Sequence, residues 1–554
     1  MSIFNSKRIT IISGIFIALL YLLLIFKDPF SQRTLIPNFE PHPDTFHYIN
    51  PALNFTKREG FVIGREGRVI KPSVPPFYSI SLIPVFLIKS DPRMSYYSNT
   101  VLALVSLLFF WLILKRIFVN KLILYLLLIL YITNYFIYWV PTLVMAENLT
   151  LTLYLAAIFF LLSKTTKVNN LLMAVLVVGL YATKYANIAT SISLIFLFFG
   201  KVFFGNLTTN QKIKQMFSNL IFLIVFFLAL GIFEGFTQGN NIFSQILGHL
   251  DSIYKSVPKS DIPLSKTAVT SSWFGVGYIR DNLPLYINSL LGMPNKFLWD
   301  NTPIIPKFIG ITGVIGIFAS ITRKNFSMFS LALFLSVFSS VIFMSTFYSF
   351  DARYIYIAIP ALIFGFGLFL TSVENRISME KKFIFKSLIF LFLIFYLVTN
   401  FVRIKSQISL NLKYAETPWY YISILKSNEY FTKDTVINGK KPILISALPP
   451  YLVDYYTNGN YTLLPLSYGQ EFRDLELRQL VWGPNDYSNL PKLYKKYLSE
   501  GYSVYVSRAG LGNEGYTNRD FNKIVEEFNT DLVLSGCFDQ CNIYSVKLKE
   551  KDGQ

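Results

Sequence analysis

Isolated charges in a strongly apolar chain are the first places to look for chemistry. A polar stretch, Phe39-Glu40-Pro41-His42-Pro43-Asp44-Thr45-Phe46-His47-Tyr48, follows the first hydrophobic segment and holds two of the chain's three histidines. Further along, Glu147 stands in Pro141-Thr-Leu-Val-Met-Ala-Glu147-Asn, and Lys184 closes Gly179-Leu-Tyr-Ala-Thr-Lys184. Arg353 follows Asp351 in Ser349-Phe-Asp-Ala-Arg353-Tyr, and Lys71 precedes Pro72. A carboxylate such as Asp44 can take the proton of an attacking hydroxyl, and Lys71, Lys184 and Arg353 can hold a departing phosphate. Each residue also has a plainer reading. Pro-Asp-Thr starts helices well, Glu147 suits a helix N-terminus, Lys184 can snorkel, and Arg353 with Asp351 can be a surface ion pair. His42, Asp44 and His47 lie close enough to raise a divalent ion as an alternative, carboxylate-bound rather than a histidine-rich zinc set.

The elements that must position these residues are apolar helices. The 554 residues are 53% hydrophobic and 17% aromatic, the signature of a multi-pass membrane protein. The net charge of +19 comes from Lys and Arg grouped between apolar runs, so no nucleic-acid partner is expected. About eleven runs are long enough to span: Ile9–Phe26, Thr100–Leu114, Leu122–Val140, Leu149–Leu162, Leu171–Ala182, Ile188–Phe204, Phe217–Phe233, Pro303–Ile321, Phe326–Phe347, Tyr354–Leu370 and Phe385–Asn400. Pro75–Ile88 is read as interfacial or re-entrant. If it does not cross and the N-terminus is cytoplasmic, the groups Lys115/Arg116, Lys164/Lys167, Lys201/Lys212, Arg323/Lys324 and Arg376/Lys381 all fall inside. The same count puts Asp44, Glu147, Lys184 and Arg353 on one outer face. Two long outer loops follow, Lys27–Asn99 and Glu234–Thr302, the second holding a further interfacial helix candidate at Leu283–Met293.

Composition changes at Arg403. Short strand-like runs such as Lys441–Ser446, Tyr461–Leu466, Tyr502–Ser507 and Asp531–Leu534 alternate with polar helical stretches, Leu490–Glu500 and Asn522–Phe528. The fold class expected is therefore an α-helical polytopic membrane protein of about eleven transmembrane helices plus interfacial helices (residues 1–402), with a C-terminal extracytoplasmic α/β domain (403–554). Cys537 and Cys541, the only cysteines, are expected to form a disulfide outside the membrane rather than a metal site.

A lipid-phosphate leaving group gives these scattered charges a common cause. Moving a sugar off a polyprenyl phosphate needs an acceptor hydroxyl, a base and cations, and no nucleotide-binding fingerprint is present. In the order and spacing of its motifs the chain resembles a GT-C superfamily glycosyltransferase, of the protein O-mannosyltransferase and lipid A aminoarabinose transferase branch. Pro43-Asp44 resembles that branch's first-loop Pro-Asp-Glu, whose Asp is the catalytic carboxylate; Thr45 stands here in place of the Glu, leaving Glu40 as its substitute. Tyr48 and Ala52 continue the pattern. Lys71-Pro72 resembles the Lys-Pro that contacts the carrier phosphate. Glu147 falls where an acidic residue opens a helix, Thr183-Lys184 resembles a Thr-Lys or Thr-Arg element, and Arg353-Tyr354 with Pro360 resembles Arg-Tyr-x(5)-Pro. The resemblance covers residues 1–400 and implies an inverting transfer from a polyprenyl-phosphate sugar to an extracytoplasmic acceptor at the inner (plasma) membrane, with no cofactor required. It implies that Asp44 is the catalytic carboxylate and that Lys71 contacts the carrier phosphate; the residues' own chemistry adds Glu147 as a second catalytic candidate, Lys184 and Arg353 as donor-phosphate partners, and Glu40, His42 and His47 as acceptor or metal candidates. A transporter or flippase would bury charges mid-helix and repeat its halves; a glycan polymerase or ligase, which uses diphosphate-linked donors, would carry acceptor-side arginine loops. Neither pattern is evident.

Overall fold

The computed structural model describes residues 2–31, 44–62, 72, 74–203, 208–238, 275–298, 300–323, 325–347, 349–413, 419–433, 440–448, 450, 453, 457, 460–467, 470–474, 479–482, 489–510, 514–536 and 541–549. The chain divides into two compact units, a helical one that ends at Ala415 and a second that holds Glu416–Gln554.

The helical unit opens with α1 (Ser2–Ile25), α2 (Asp44–Thr56), α3 (Phe77–Ile88), α4 (Ser95–Ile117), α5 (Lys121–Ile132), α6 (Tyr135–Trp139), α7 (Ala146–Leu162) and α8 (Lys167–Thr183). It continues with α9 (Ile188–Phe203), α10 (Thr209–Gln238), α11 (Ile279–Leu290), α12 (Lys307–Ile321), α13 (Ser327–Ser345), α14 (Ala358–Glu374) and α15 (Lys382–Leu412). Among the described residues, five helices are long and apolar enough to cross a membrane: Pro92–Ile117, Tyr185–Phe203, Thr209–Phe236, Ser327–Ser345 and Lys382–Leu412. Six further apolar helical segments of 10–17 residues are Gly14–Ile25 within α1, Phe77–Ile88, Ala146–Leu162, Lys167–Thr183, Lys307–Ile321 and Ala358–Glu374. Seventeen residues rise roughly 25 Å, near the hydrocarbon thickness of about 30 Å. The twelve of α3 rise only about 18 Å, which fits the interfacial or re-entrant reading of Pro75–Ile88. The run Leu122–Val140, read as one span, is bent by 58° between α5 and α6. Asn134 causes the break: its side chain caps α6 by accepting from the N–H groups of Phe136 and Ile137.

Two further boundaries move. α10 continues to Gln238, so Glu234 is inside a helix and not at the start of a loop. α15 runs unbroken through Arg403, so the composition change there is the polar end of a 31-residue helix. The outer helices α10 and α15 leave whole apolar faces uncovered, among them Ile224, Leu228, Ile232, Leu391, Phe395 and Val398, as a lipid-facing helix does. Inside the bundle, hydroxyls join the helices: Tyr154 to Ser336 at 2.9 Å and Thr190 to Ser340 at 2.6 Å. α12 and α14 touch backbone to backbone, and a Cβ at Gly316 would run into the carbonyl oxygen of Gly365.

The second unit holds α16 (Trp419–Lys433), β1 (Ile443–Ala447), β2 (Thr462–Pro465), β3 (Glu471–Asp474), β4 (Gln479–Trp482), α17 (Leu490–Ser499), β5 (Val504–Gly510), α18 (Glu514–Glu527), β6 (Asn529–Leu534) and β7 (Ile543–Lys547). Its five-stranded sheet has the order β2-β1-β5-β7-β6, with β2, β1 and β5 parallel and β7 antiparallel to both neighbours. Ile443, Ile445, Leu464, Val504 and Val506 pack with Tyr494, Phe521 and Phe528 into its core. Cys541 is buried and disulfide-bonded, and Cys537 is the sequence's one other cysteine.

Candidate active site

Two helix ends meet at the buried carboxylate. Glu147 lies in the first turn of α7, where the free N–H groups favour a negative charge, and is 4% exposed. Lys184, the residue that ends α8, forms a direct ion pair with it. The pair is 37 residues apart in sequence, so the packing of α7 on α8 brings it together.

The loop between α13 and α14 brings a second pair. Arg353 Nε lies 3.3 Å from Asp351 Oδ2. The Asp351 carboxylate also accepts the Arg353 N–H at 2.9 Å and the Leu298 N–H at 3.1 and 3.2 Å. Leu298 is in the left-handed region at φ 57°, a conformation that costs a non-glycine residue on the order of 1 kcal/mol or more. The charged acceptor offsets that cost, and Ala352 N–H on Lys296 O at 2.8 Å pins the same loops. Burial pushes the Asp351 carboxyl up from its ordinary value, and the Arg353 guanidinium with the two backbone N–H groups offsets part of the shift.

Tyr354 joins the two pairs. Lys184 Nζ lies 4.7 Å and the Arg353 guanidinium carbon 5.0 Å from the centre of its ring, and Arg353 donates to its hydroxyl at 3.3 Å. One aromatic ring therefore holds two cations near one another, and Arg353 lies within electrostatic range of Glu147. Asp351 and Tyr354 stood out in the sequence only as the neighbours of Arg353, and the structure adds their positioning roles. Their signal was present in the stretch Ser349–Tyr354, but their partners Leu298 and Lys184 are remote in sequence.

α2 is anchored beside this cluster. Asp44 is its first residue, and its side chain lies outside the described residues. The adjacent Thr45 is fully buried and donates to Val144 O at 3.3 Å, three residues before Glu147. Tyr48 packs edge-on against Tyr78 at 5.1 Å, and Tyr78 donates to Asn99 Oδ1 at 2.6 Å. Asn99 in turn donates to Leu143 O at 2.6 Å, as Asn148 does at 3.2 Å. The start of α2, the turn before α7 and Glu147 thus form one hydrogen-bonded assembly. His47 is half-buried on α2. Glu40, His42 and Lys71 lie outside the described residues. Among the described residues no group of three His, Cys, Asp or Glu side chains could hold a metal ion.

Two solved structures are similar in fold to this chain. One is the crystal structure of ArnT from Cupriavidus metallidurans bound to undecaprenyl phosphate, at a TM-score of 0.53 and 8% identity. The other is ArnT from Cupriavidus metallidurans in the apo state, at a TM-score of 0.53 and 11% identity. Each comparison covers 98% of this chain and 98% of that chain. At these identities the likeness carries the fold, an ArnT-like helical membrane unit followed by a small sheet unit. No family model and no curated protein matches the sequence.

Proposed function

We propose that this protein is a membrane glycosyltransferase that moves a sugar from a polyprenyl phosphate to a hydroxyl of an extracytoplasmic glycolipid, protein or polysaccharide. The observation that carries the reading is the cluster of Glu147, Lys184, Tyr354, Arg353 and Asp351 beside the start of α2. Its two cations are each held by a carboxylate and by a shared ring. An ammonium and a guanidinium are both good phosphate partners, as point charge and as fork. The fold likeness to a protein crystallised with undecaprenyl phosphate supports the same reading.

In this mechanism the acceptor oxygen attacks the anomeric carbon while the bond from that carbon to the phosphate oxygen breaks. Asp44 takes the acceptor's proton. Lys71, Lys184 and Arg353 stabilise the leaving lipid phosphate, whose charge rises as the bond breaks. A single displacement inverts the anomeric centre. Glu147 positions Lys184 and orients the acceptor. No cofactor is required; a divalent ion bound near Asp44 is the alternative, and complete, metal-reversible loss of transfer on chelation would establish it. Asp44→Asn keeps shape and removes the base, so transfer from a synthetic polyprenyl-phosphate sugar in detergent should fall by about 10²–10⁴. Near-normal turnover in the folded variant would reduce Pro43-Asp44 to a capped turn and sink the reading.

The N-terminus is proposed to be cytoplasmic and the C-terminal domain extracytoplasmic. Single cysteines placed at Lys71 and Gly510 in a chain lacking Cys537 and Cys541 should react with an impermeant reagent from outside. Those at Lys164 and Lys382 should not, and labelling of position 164 from outside would refute this orientation.

A further inference from the structure

Glu234 has no part in the chemistry above, yet it is a carboxylic acid inside an apolar helix. It sits on α10 four residues before the end at Gln238 and is 1% exposed. Neither of its carboxyl oxygens has a hydrogen-bond partner among the described residues. Within its electrostatic range is Tyr181 of α8, whose hydroxyl is also buried and also lacks a partner among the described residues. Aromatic rings pack on Tyr181, and a further ring pair includes Phe233, the sequence neighbour of Glu234. Tyr181 lies 5.5 Å from Tyr185 and 6.4 Å from Phe227, and Phe233 lies 5.6 Å from Phe61, ring centre to ring centre.

An intramembrane carboxyl and a phenol with no hydrogen-bond partner among the described residues are costly to keep, and such groups usually serve a substrate. Their chemistry is specific. A carboxylate accepts hydrogen bonds, a phenol donates and accepts them, and ring faces beside them take C–H surfaces. Together they match a sugar, polar at its edge and apolar on its faces. Position narrows the choice. Tyr181 is one turn before Lys184, and Tyr185 follows it directly. A donor's sugar is bonded to its phosphate, so a phosphate held at Lys184 carries its sugar to these rings. We infer that Glu234 and Tyr181 recognise the hydroxyl or amino groups of the donor's sugar and set which sugar is transferred. This rests on the glycosyl-transfer reading.

The test compares bare undecaprenyl phosphate with undecaprenyl phosphates carrying mannose, arabinose or an amino sugar, bound to the full chain in detergent. The wild-type protein should prefer at least one glycosyl lipid to the bare lipid. Glu234→Gln and Tyr181→Phe should each leave bare-lipid affinity within about twofold and lower the preferred glycosyl lipid's affinity by about tenfold or more. Glu234→Gln keeps size and polarity, and Tyr181→Phe provides a second variant should that one fail to fold. Equal losses for bare and glycosyl lipid would show a structural role and overturn the inference. Unchanged sugar preference in both variants would overturn it too, as would a wild type with no preference. Weakened dependence on acceptor with donor binding intact would move the pocket to the acceptor and overturn the assignment. A wild type that binds neither lipid would bring down the glycosyl-transfer reading itself and the inference with it.

Discussion

Two ion pairs of the same chemistry mark the difference between the molecule's two units. In the helical unit, Glu147 and Lys184 meet with side chains 5% and 17% exposed. In the sheet unit, Lys495 and Glu527 meet at 2.8 Å with side chains 50% and 38% exposed. The second pair costs little to keep, because water solvates both charges whether or not they touch. The first displaced that water, and replacing such a pair with apolar side chains is often neutral or stabilising. Stability alone does not account for it. A charge retained where apolar groups would serve the fold at least as well points to work on a ligand, and Glu234, buried without a hydrogen-bond partner among the described residues, extends the same argument.

Breaking the buried pair should have the largest effect. Lys184→Ala strands a carboxylate, and Glu147→Gln strands an ammonium. Loss of one partner of a buried pair costs about 3–5 kcal/mol, which thermal unfolding in detergent will register. Lys184→Ala should also raise the donor concentration needed for transfer. The double variant Glu147→Gln/Lys184→Met removes both charges and should recover most of the stability and none of the transfer. A loss below about 1 kcal/mol in Lys184→Ala would mean that water reaches the pair, and the contrast between the units would collapse.

Much of the helical unit was legible because burial in lipid imposes a coarse pattern. Long apolar runs mark helices, and lone charges such as Glu147 and Lys184 stand out against them. What stayed hidden depends on contacts between distant residues. Glu147 and Lys184 could be singled out one by one, but not as a pair. Tyr354 is the sequence neighbour of Arg353, but nothing in the sequence marks Lys184 as the second cation beside its ring. Leu122–Val140 reads as one span because nothing in its hydropathy reports that the Asn134 side chain caps a new helix. Glu234 was taken for the start of a loop because a carboxylate usually ends an apolar run. In the sheet unit β1, β2, β5 and β6 were readable as short strand-like runs between polar helical stretches. β3 and β4, Glu471-Phe-Arg-Asp and Gln479-Leu-Val-Trp, form a separate two-stranded sheet and did not stand out as strands in the sequence.

The smallest effect should come from the exposed pair, and it sharpens the contrast from the other side. Lys495 Nζ touches Glu527 and lies 5.6 Å from the centre of the Phe528 ring. An exposed ion pair contributes about 0.2–1 kcal/mol, and an exposed cation over a ring about 0.5–1 kcal/mol. Lys495→Ala should therefore destabilise the protein by about 2 kcal/mol or less, with donor binding and transfer unchanged. Lys547 and Asp531 form the control, an ion pair at 3.0 Å with side chains 68% and 65% exposed. Lys547→Ala should do still less. Salt separates the contributions: at about 1 M ionic strength the screening length falls to about 3 Å, and the ion-pair part of both losses should vanish. Whatever remains in Lys495→Ala belongs to contact with the ring. A loss above about 2 kcal/mol that persists in high salt would show that this pair is held as firmly as the buried one. Exposure would then no longer separate charges kept for function from charges that merely face water.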